Sequence, residues 1–273
     1  MACDPKDMGS PIASWYEAER GEPDRLLSGR GRLEGARTKE LVERHLPAGP
    51  LSIIDVGGGA GYYASWLAGL GHRVVLLDPV PLHVDRARIE AGEPGAFQAE
   101  TGDARELPFD DGAFDAVLLL GPLYHLLESQ DRLLALREAR RVSKGGGFVF
   151  AAAISRFALP GDGIRNGWID GEEKERSVEH VIAHGSTAAL DQGWFLTMCY
   201  CHRADELRAE VASAELSMKA VYGIEGPAFL VADIDDKWAD PATRERLLWA
   251  ARLVECEPGL QEISGHLLAV ARA

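Results

Sequence analysis

The run Ser52-Ile53-Ile54-Asp55-Val56-Gly57-Gly58-Gly59-Ala60-Gly61-Tyr62 constrains this chain more than any other stretch. Ile53, Ile54 and Val56 suit a strand covered on both faces. Three adjacent glycines open backbone angles that side chains forbid, and they let a ligand lie against bare main chain. From Tyr62 the pattern is helical and stops at Gly71, a residue type suited to ending a helix. A strand that feeds a glycine turn and then a helix presents free N–H groups to a ligand. The spacing leaves two cofactor classes open. Asp55, Gly57, Gly59 and Gly61 form an acidic-x-Gly-x-Gly-x-Gly pattern. Gly59-x-Gly61-x-x-Ala64 also fits the dinucleotide fingerprint, whereas the version begun at Gly57 fails because Tyr62 stands at its third glycine. A tight turn with no ligand is disfavoured, since adjacent glycines weaken a fold unless something needs the space.

Around this run, apolar stretches alternate with helical spacings. Residues 73–77 read as a second strand ending in Asp78-Pro79, followed by a helix over about 82–91. Residues 97–101 read as a third strand, closing on Gly102-Asp103-Ala104. Residues 114–120 read as a fourth, stopping at Gly121-Pro122. A helix over 131–142 ends at Lys144 and three glycines, and 148–154 forms a fifth strand. Helices over 204–214 and 241–256 and strands over 216–222 and 266–271 complete the chain. This rhythm predicts an α/β fold, a doubly wound and mostly parallel sheet with helices on both faces. Residues 1–48 are expected to form a helical segment over the cleft. Within it Gly29 and Gly31 break the pattern, a clearer helix runs from Leu33 to Leu46, and Trp15-Tyr16 either packs or serves as a lid. Residues 49–273 form the core. Residues 155–202 interrupt the rhythm with scattered glycines and aromatics, and are expected to be a lid insertion.

With 273 residues, one large domain or a core with a lid is within reach. Acidic residues outnumber basic ones 43 to 29, a formal charge of −14 that opposes a nucleic-acid partner. The arginines between Arg20 and Arg44 are interleaved with Glu22, Asp24, Glu34, Glu40 and Glu43, which reads as a solvated mixed-charge face. Cys199, Cys201 and His202 lie close in sequence, but no second ligand pair accompanies them, so no metal is expected. The first residues lack signal-peptide character, and the longest apolar runs are too short to cross a bilayer. A cytoplasmic chain without a membrane partner is the expectation.

The predicted strand ends gather Asp55 and Gly57, Asp78, Asp103 and Gly121. In an open α/β sheet the ligand sits at these carboxyl ends. A carboxylate at Asp78, 17 residues past Gly61, can accept both hydroxyls of a ribose, or instead start the next helix. Asp103 can accept a hydrogen bond from an adenine amino group, or simply form a turn.

From Ile53 to about Ile154 the chain resembles the class I S-adenosylmethionine-dependent methyltransferases. The Asp-x-Gly-x-Gly-x-Gly loop, Asp78, Gly102-Asp103-Ala104, Phe114-Asp115-Ala116-Val117 and the passage from Glu138 to Gly147 carry the resemblance. The run Gly121-Pro122-Leu123-Tyr124-His125-Leu126 is similar to a bacterial small-molecule subgroup. The resemblance implies a Rossmann-like, seven-stranded sheet with an antiparallel C-terminal strand and a helical lid. It implies S-adenosylmethionine as cofactor, a small-molecule substrate in specialised metabolism, and a monomer or homodimer. It implies that Gly57, Gly59 and Gly61 approach the methionine part of the cofactor, with Asp55 nearby. Asp78 would hold the ribose and Pro79 would lie beside the adenine. Asp103 and Ala104 would sit on the adenine, and Leu120 and Gly121 would line the floor. Tyr16 would close over the cofactor, and Arg37 would receive its carboxylate. A nicotinamide-dependent oxidoreductase and a non-catalytic cofactor-binding subunit are the alternatives. No Tyr-x-x-x-Lys or similar catalytic pair supports the first, and intact glycines and acids oppose the second.

A sulfonium methyl group is already activated, so such an enzyme must hold the acceptor in line and exclude water. A base is needed only if the acceptor arrives protonated. His125, just past strand four, is the candidate, because histidine titrates near neutral pH. His180, His184 and His202 are alternatives, and Tyr124 could orient the acceptor or pack in the wall.

Overall fold

The central strand β1 (Ser52–Val56) alternates its side chains between two apolar layers, as a strand with two buried faces must. Ile53 joins one layer, and Ile54 and Val56 join the other. A computed structural model describes residues 22–92, 95–188 and 198–273 of the chain. Within them β1 pairs in parallel with β2 (Arg73–Asp78) and β4 (Phe114–Leu119), and β2 pairs with β3 (Gln98–Thr101). On the other side β4 pairs with β5 (Ser143–Ser155). The order is completed by β8 (His266–Arg272) and β7 (Ser217–Gly223), giving β3-β2-β1-β4-β5-β8-β7. β8 is antiparallel to both neighbours, as expected for the C-terminal strand. Val56 lies opposite both Leu77 and Leu119, so the carboxyl ends of β1, β2 and β4 finish level.

Helices cover both faces. On one side lie α1 (Gly29–His45), α2 (Tyr62–Gly69) and α3 (Pro81–Ala91), which bury Leu41, Val42, Leu67 and Val84 against the sheet. A one-turn α4 (Pro122–His125) leads to α5 (Ser129–Val142). In the inserted segment come α6 (Ala158–Asn166) and α7 (Glu172–His184). The two-residue β6 (Cys201–His202) then pairs with the end of β5, making an eighth strand beyond the seven expected. After it, α8 (Ala204–Ser213) packs on the opposite face with α5, through Leu207, Val211, Leu136 and Ala139. The helices α9 (Ile234–Ala239) and α10 (Pro241–Val254) precede β8. Burying each Leu of these layers contributes roughly 1.5–3 kcal/mol.

Two expectations about glycine are corrected. Gly29 and Gly31 do not interrupt a helix; they are its first turn, and α1 begins at Gly29. A Cβ on Gly31 would lie 1.8 Å from the Arg25 carbonyl oxygen, so the glycine lets the preceding 3-10 turn, Glu22–Leu27, press onto α1. Nor do Gly145, Gly146 and Gly147 precede β5, which starts at Ser143 and carries them within it. They lie where the β4–β5 register shifts, and a Cβ on Gly147 would come within 3.0 Å of the Asp115 oxygen.

The segment 155–202 folds in part as helices around a small apolar cluster of Leu159, Val178, Val181, Cys199 and Cys201. Among the described residues no helix is long and apolar enough to cross a membrane.

Candidate active site

A cleft of about 1000 Å³ opens at the carboxyl ends of β1, β2 and β4. Its walls include Asp55, Gly57, Gly59, Asp78, Pro79, Asp103, Ala104, Leu120, Gly121 and His125, so these expected site residues converge. The 3-10 turn and α1 add Arg25, Leu26, Leu27 and Lys39 to the rim, whereas no described residue of 155–202 lines it. Tyr16 lies outside the described residues.

The glycine loop has a divided rationale. Gly57, Gly59 and Gly61 all have left-handed φ, at +71°, +57° and +97°. A Cβ on Gly57 would meet the Pro122 ring at 2.7 Å, and one on Gly61 would meet the Phe97 ring at 2.8 Å. A Cβ on Gly58 would lie 2.7 Å from the Leu76 side chain. These three glycines are demanded by the protein's own packing. Only at Gly59 would a Cβ meet nothing within 4 Å, so within this loop the open space belongs to that residue. The Gly59 N–H donates to Asp78 Oδ2 at 2.9 Å, which ties the loop to the end of β2.

Asp78 lies in the cleft wall and braces the turn that leads into α3. Its Oδ1 accepts from the Val80 N–H at 2.9 Å, at the start of α3, and lies 3.1 Å from His83 Nδ1. His83 was not anticipated; its position in the first turn after Asp78-Pro79 was the available signal. Asp55 is fully buried beneath the loop, and neither carboxylate oxygen makes a well-formed hydrogen bond. Burial, with the charge of Asp78 adding to it, pushes the Asp55 carboxyl up to about 7, against a weaker pull from the Ala64 backbone. Asp103 forms a turn with Arg105, whose Nη2 lies 2.6 Å from its Oδ2. Burial raises the Asp103 carboxyl, but the Arg105 hydrogen bonds and charge outweigh it and hold the group below the usual range.

Arg37 is a correction. It is wholly buried away from the cleft, ion-paired with Glu40 at 2.8 Å and with Glu255, and it donates from Nε to the Ile224 carbonyl at 3.2 Å. The cations in the cleft lining are Arg25, Lys39 and Arg86 instead. Arg25 donates from Nη2 to Glu34 Oε1 at 2.9 Å. The Lys39 ammonium sits 4.0 Å from the centre of the Tyr62 ring and 5.5 Å from that of Trp66. Glu34 also belongs to a buried cluster with Glu225 and His266, where Glu225 Oε2 accepts from Ser264 Oγ at 2.7 Å. Residues so far apart in sequence gave no sign of it.

His125 ends α4 and faces the cleft beside Tyr124, their rings 4.6 Å apart. Burial pushes its imidazole down to about 4, opposed by the Asp78 charge and a backbone hydrogen bond at Met198. The expected near-neutral titration is thus corrected: burial keeps this ring uncharged at pH 7. His180 and His184 pair with each other on α7, rings 4.6 Å apart, and His202 is buried against Glu210 at 3.1 Å. None of the three lines the cleft.

The geometry is that of a cleft with a bare backbone cradle, a carboxylate at each of two strand ends, a buried acid below without a well-formed hydrogen bond, and cations in its lining. The protein-family profile described as a methyltransferase domain matches residues 54–151. A ubiquinone biosynthesis O-methyltransferase of Methylocella silvestris is 34% identical over 152 residues, 52% of this chain and 57% of that protein. A tRNA U34 carboxymethyltransferase of Shewanella is 32% identical over 156 residues, 55% of this chain and 44% of that protein. The chain thus spans about half the length of these relatives. Among solved structures, the PH0226 protein of Pyrococcus horikoshii has a TM-score of 0.62 at 15% identity, covering 95% of this chain and 98% of that one, and shares the fold.

Proposed function

Because this chain belongs to the class I S-adenosylmethionine-dependent methyltransferase superfamily, we propose that it moves a methyl group from S-adenosylmethionine to a small-molecule acceptor. The observation that carries the reading is the cradle at Gly59, open above the loop and tied by its N–H to Asp78. The residues present fit the cofactor. Gly59, Val80 and His83 occupy most of the acceptor sites of Asp78, which leaves one on Oδ2 for a ribose hydroxyl. Asp55, buried and without a well-formed hydrogen bond, suits an ammonium group. Arg25, Lys39 or Arg86, not Arg37, supplies the cation for a carboxylate. When bound, the cofactor supplies an activated methyl group on a sulfonium. The protein's part is to hold the acceptor beside Tyr124 and His125 and to exclude water. Above pH 5 the His125 ring is neutral and can accept a proton from an acceptor hydroxyl, although a group poised near 4 is a weak base.

An oxygen acceptor is supported by the ubiquinone biosynthesis O-methyltransferase relative. A place in natural-product metabolism rests on the run from Gly121 to Leu126 alone. The tRNA-modifying relative suggests a nucleic-acid substrate, but the charge of −14 opposes that choice. We place the protein in the cytoplasm as a monomer or homodimer. Calorimetry tests the cofactor: S-adenosylhomocysteine should bind and NADH should not. Tight NADH binding with no S-adenosylhomocysteine signal would overturn the reading in favour of an oxidoreductase. A methyl-transfer screen of phenols, amines, indoles and carboxylates should then return oxygen acceptors first.

A further inference from the structure

The turn that carries Tyr124 and His125 is too short to hold itself. α4 is a single turn, and one helical turn fixes several dihedrals for one hydrogen bond. That bond runs from the Leu126 N–H to the Pro122 carbonyl at 3.1 Å. Further support comes from outside the turn. The Tyr200 N–H donates to the Tyr124 carbonyl at 2.8 Å. Arg132, on α5, donates from Nη1 to the carbonyls of Leu126 at 2.9 Å and Leu127 at 2.7 Å. Arg132 is 2% exposed and is anchored by Glu210 on α8, with Nε 2.9 Å and Nη2 2.7 Å from Oε1. Its guanidinium carbon lies 3.8 Å from the centre of the Tyr200 ring. One buried cation therefore joins both supports: the carbonyls that follow α4, and the tyrosine whose backbone holds Tyr124.

A buried ion pair is weak evidence for stability, because desolvation cancels much of the attraction. What a guanidinium supplies is geometry, a planar fork that can serve two carbonyls and a carboxylate at fixed angles. We propose that Arg132 is a positioning residue for methyl transfer: with Glu210 and Tyr200 it holds the Tyr124–His125 turn in the cleft wall. It thereby links the reacting end of the cleft to residues 198–202, where the chain returns from the segment inserted after β5. This rests on the reading of the cleft as a methyl-transfer site.

The test uses the full chain carrying Arg132→Lys, which keeps a cation but lacks the planar fork that spans the two carbonyls and Glu210. His125 is followed by nuclear magnetic resonance of labelled histidine, with His125→Gln assigning the signal. In the unaltered protein the ring should stay neutral down to about pH 4. In folded Arg132→Lys protein its midpoint should move up toward the ordinary value of about 6.5 as water reaches the loosened turn. S-adenosylhomocysteine binding should persist, and turnover of the acceptor found by screening should fall in kcat with little change in KM for the cofactor. A folded variant with an unmoved His125 midpoint overturns the proposal, as does a loss confined to melting temperature. Should Arg132→Lys fail to fold, Glu210→Gln gives the same readout: it leaves the carbonyl contacts and loosens the anchor. A smaller upward shift is expected there, and none overturns the proposal. Failure of the unaltered protein to bind S-adenosylhomocysteine would instead count against the methyltransferase reading, which the His125 titration does not depend on.

Discussion

Gly59 and its neighbours separate two reasons for a glycine. At Gly57 and Gly61 a side chain would strike Pro122 and Phe97, and at Gly59 it would enter the open cleft. All three also hold left-handed φ, where a side chain costs roughly 1–2 kcal/mol by itself. Gly59→Ala should therefore lose about that much stability while its affinity for S-adenosylhomocysteine falls by at least tenfold, and Gly59→Val should abolish binding. Gly57→Ala and Gly61→Ala should lose more stability, since each adds an internal clash. Thermal melts and calorimetry on the three alanine variants decide the matter. Normal binding by Gly59→Ala would remove the cradle from the site. The acidic-x-Gly-x-Gly-x-Gly spacing was enough to locate this loop, but not to tell which glycine serves the ligand, because Pro122 and Phe97 arrive from elsewhere in the chain.

At the scale of elements, the two segments expected to cover the cleft differ. The 3-10 turn and α1 supply Arg25, Leu26, Leu27 and Lys39 to the rim, whereas α6 and α7 pack on their own apolar cluster. Cofactor binding should therefore slow amide exchange over 22–45 and leave α6 and α7 nearly unchanged. Hydrogen exchange with and without S-adenosylhomocysteine checks this, and equal exchange over 22–45 in both states would exclude gating by α1. The strands and most helix centres were legible from periodicity, since a buried strand and an amphipathic helix each write their pattern locally. Gly29 and Gly31 were misread as breaks because the turn that requires Gly31 lies several residues upstream. The same applies to Gly145 to Gly147, where the bulge is a property of the β4–β5 pairing.

For the whole molecule, buried and ion-paired groups predict how stability follows pH. Burial raises Glu40, but hydrogen bonds from Arg252 and Arg37 outweigh it and bring the group to about 2. Glu138 is lowered by its hydrogen bond to Arg141, and Glu210 by His202 and Arg132 against the effect of burial. Each contributes stability above its unfolded value near 4, which is lost as pH falls through the lower folded value. Burial lowers His125 to about 4 and also lowers His202, so their unfolded forms take up protons first and stability begins to fall below about 6.5. His266 runs the other way. Burial lowers it, but Glu34 and Glu225 more than compensate, so its contribution is lost as pH rises through the raised folded value. Asp55 also penalises higher pH: the folded state keeps a proton that the unfolded chain releases, and the cost builds between about 4 and 7. Urea midpoints should therefore drop steeply below pH 5, and Asp55→Asn should gain on the unaltered protein as pH rises from 4 to 8. A flat difference between the two proteins would show that Asp55 is not held protonated.

The run from Ser52 to Tyr62, and the alternation of strands and helices after it, determined the fold class and the end of the sheet where the cleft lies. Both follow from local backbone preference and from which residues must leave water. Asp55, Gly59, Asp78 and His125 were legible because strand ends deliver them to one place whatever the loops do. Tertiary structure alone decided what those groups are. Packing depressed His125 by burying it, left Asp55 without a well-formed hydrogen bond, and gave Arg37 to Glu40 and Glu255 while Arg25, Lys39 and Arg86 reached the cleft. Burial and charge pairing depend on residues up to 218 positions apart, as between Arg37 and Glu255, and no local pattern encodes such distances.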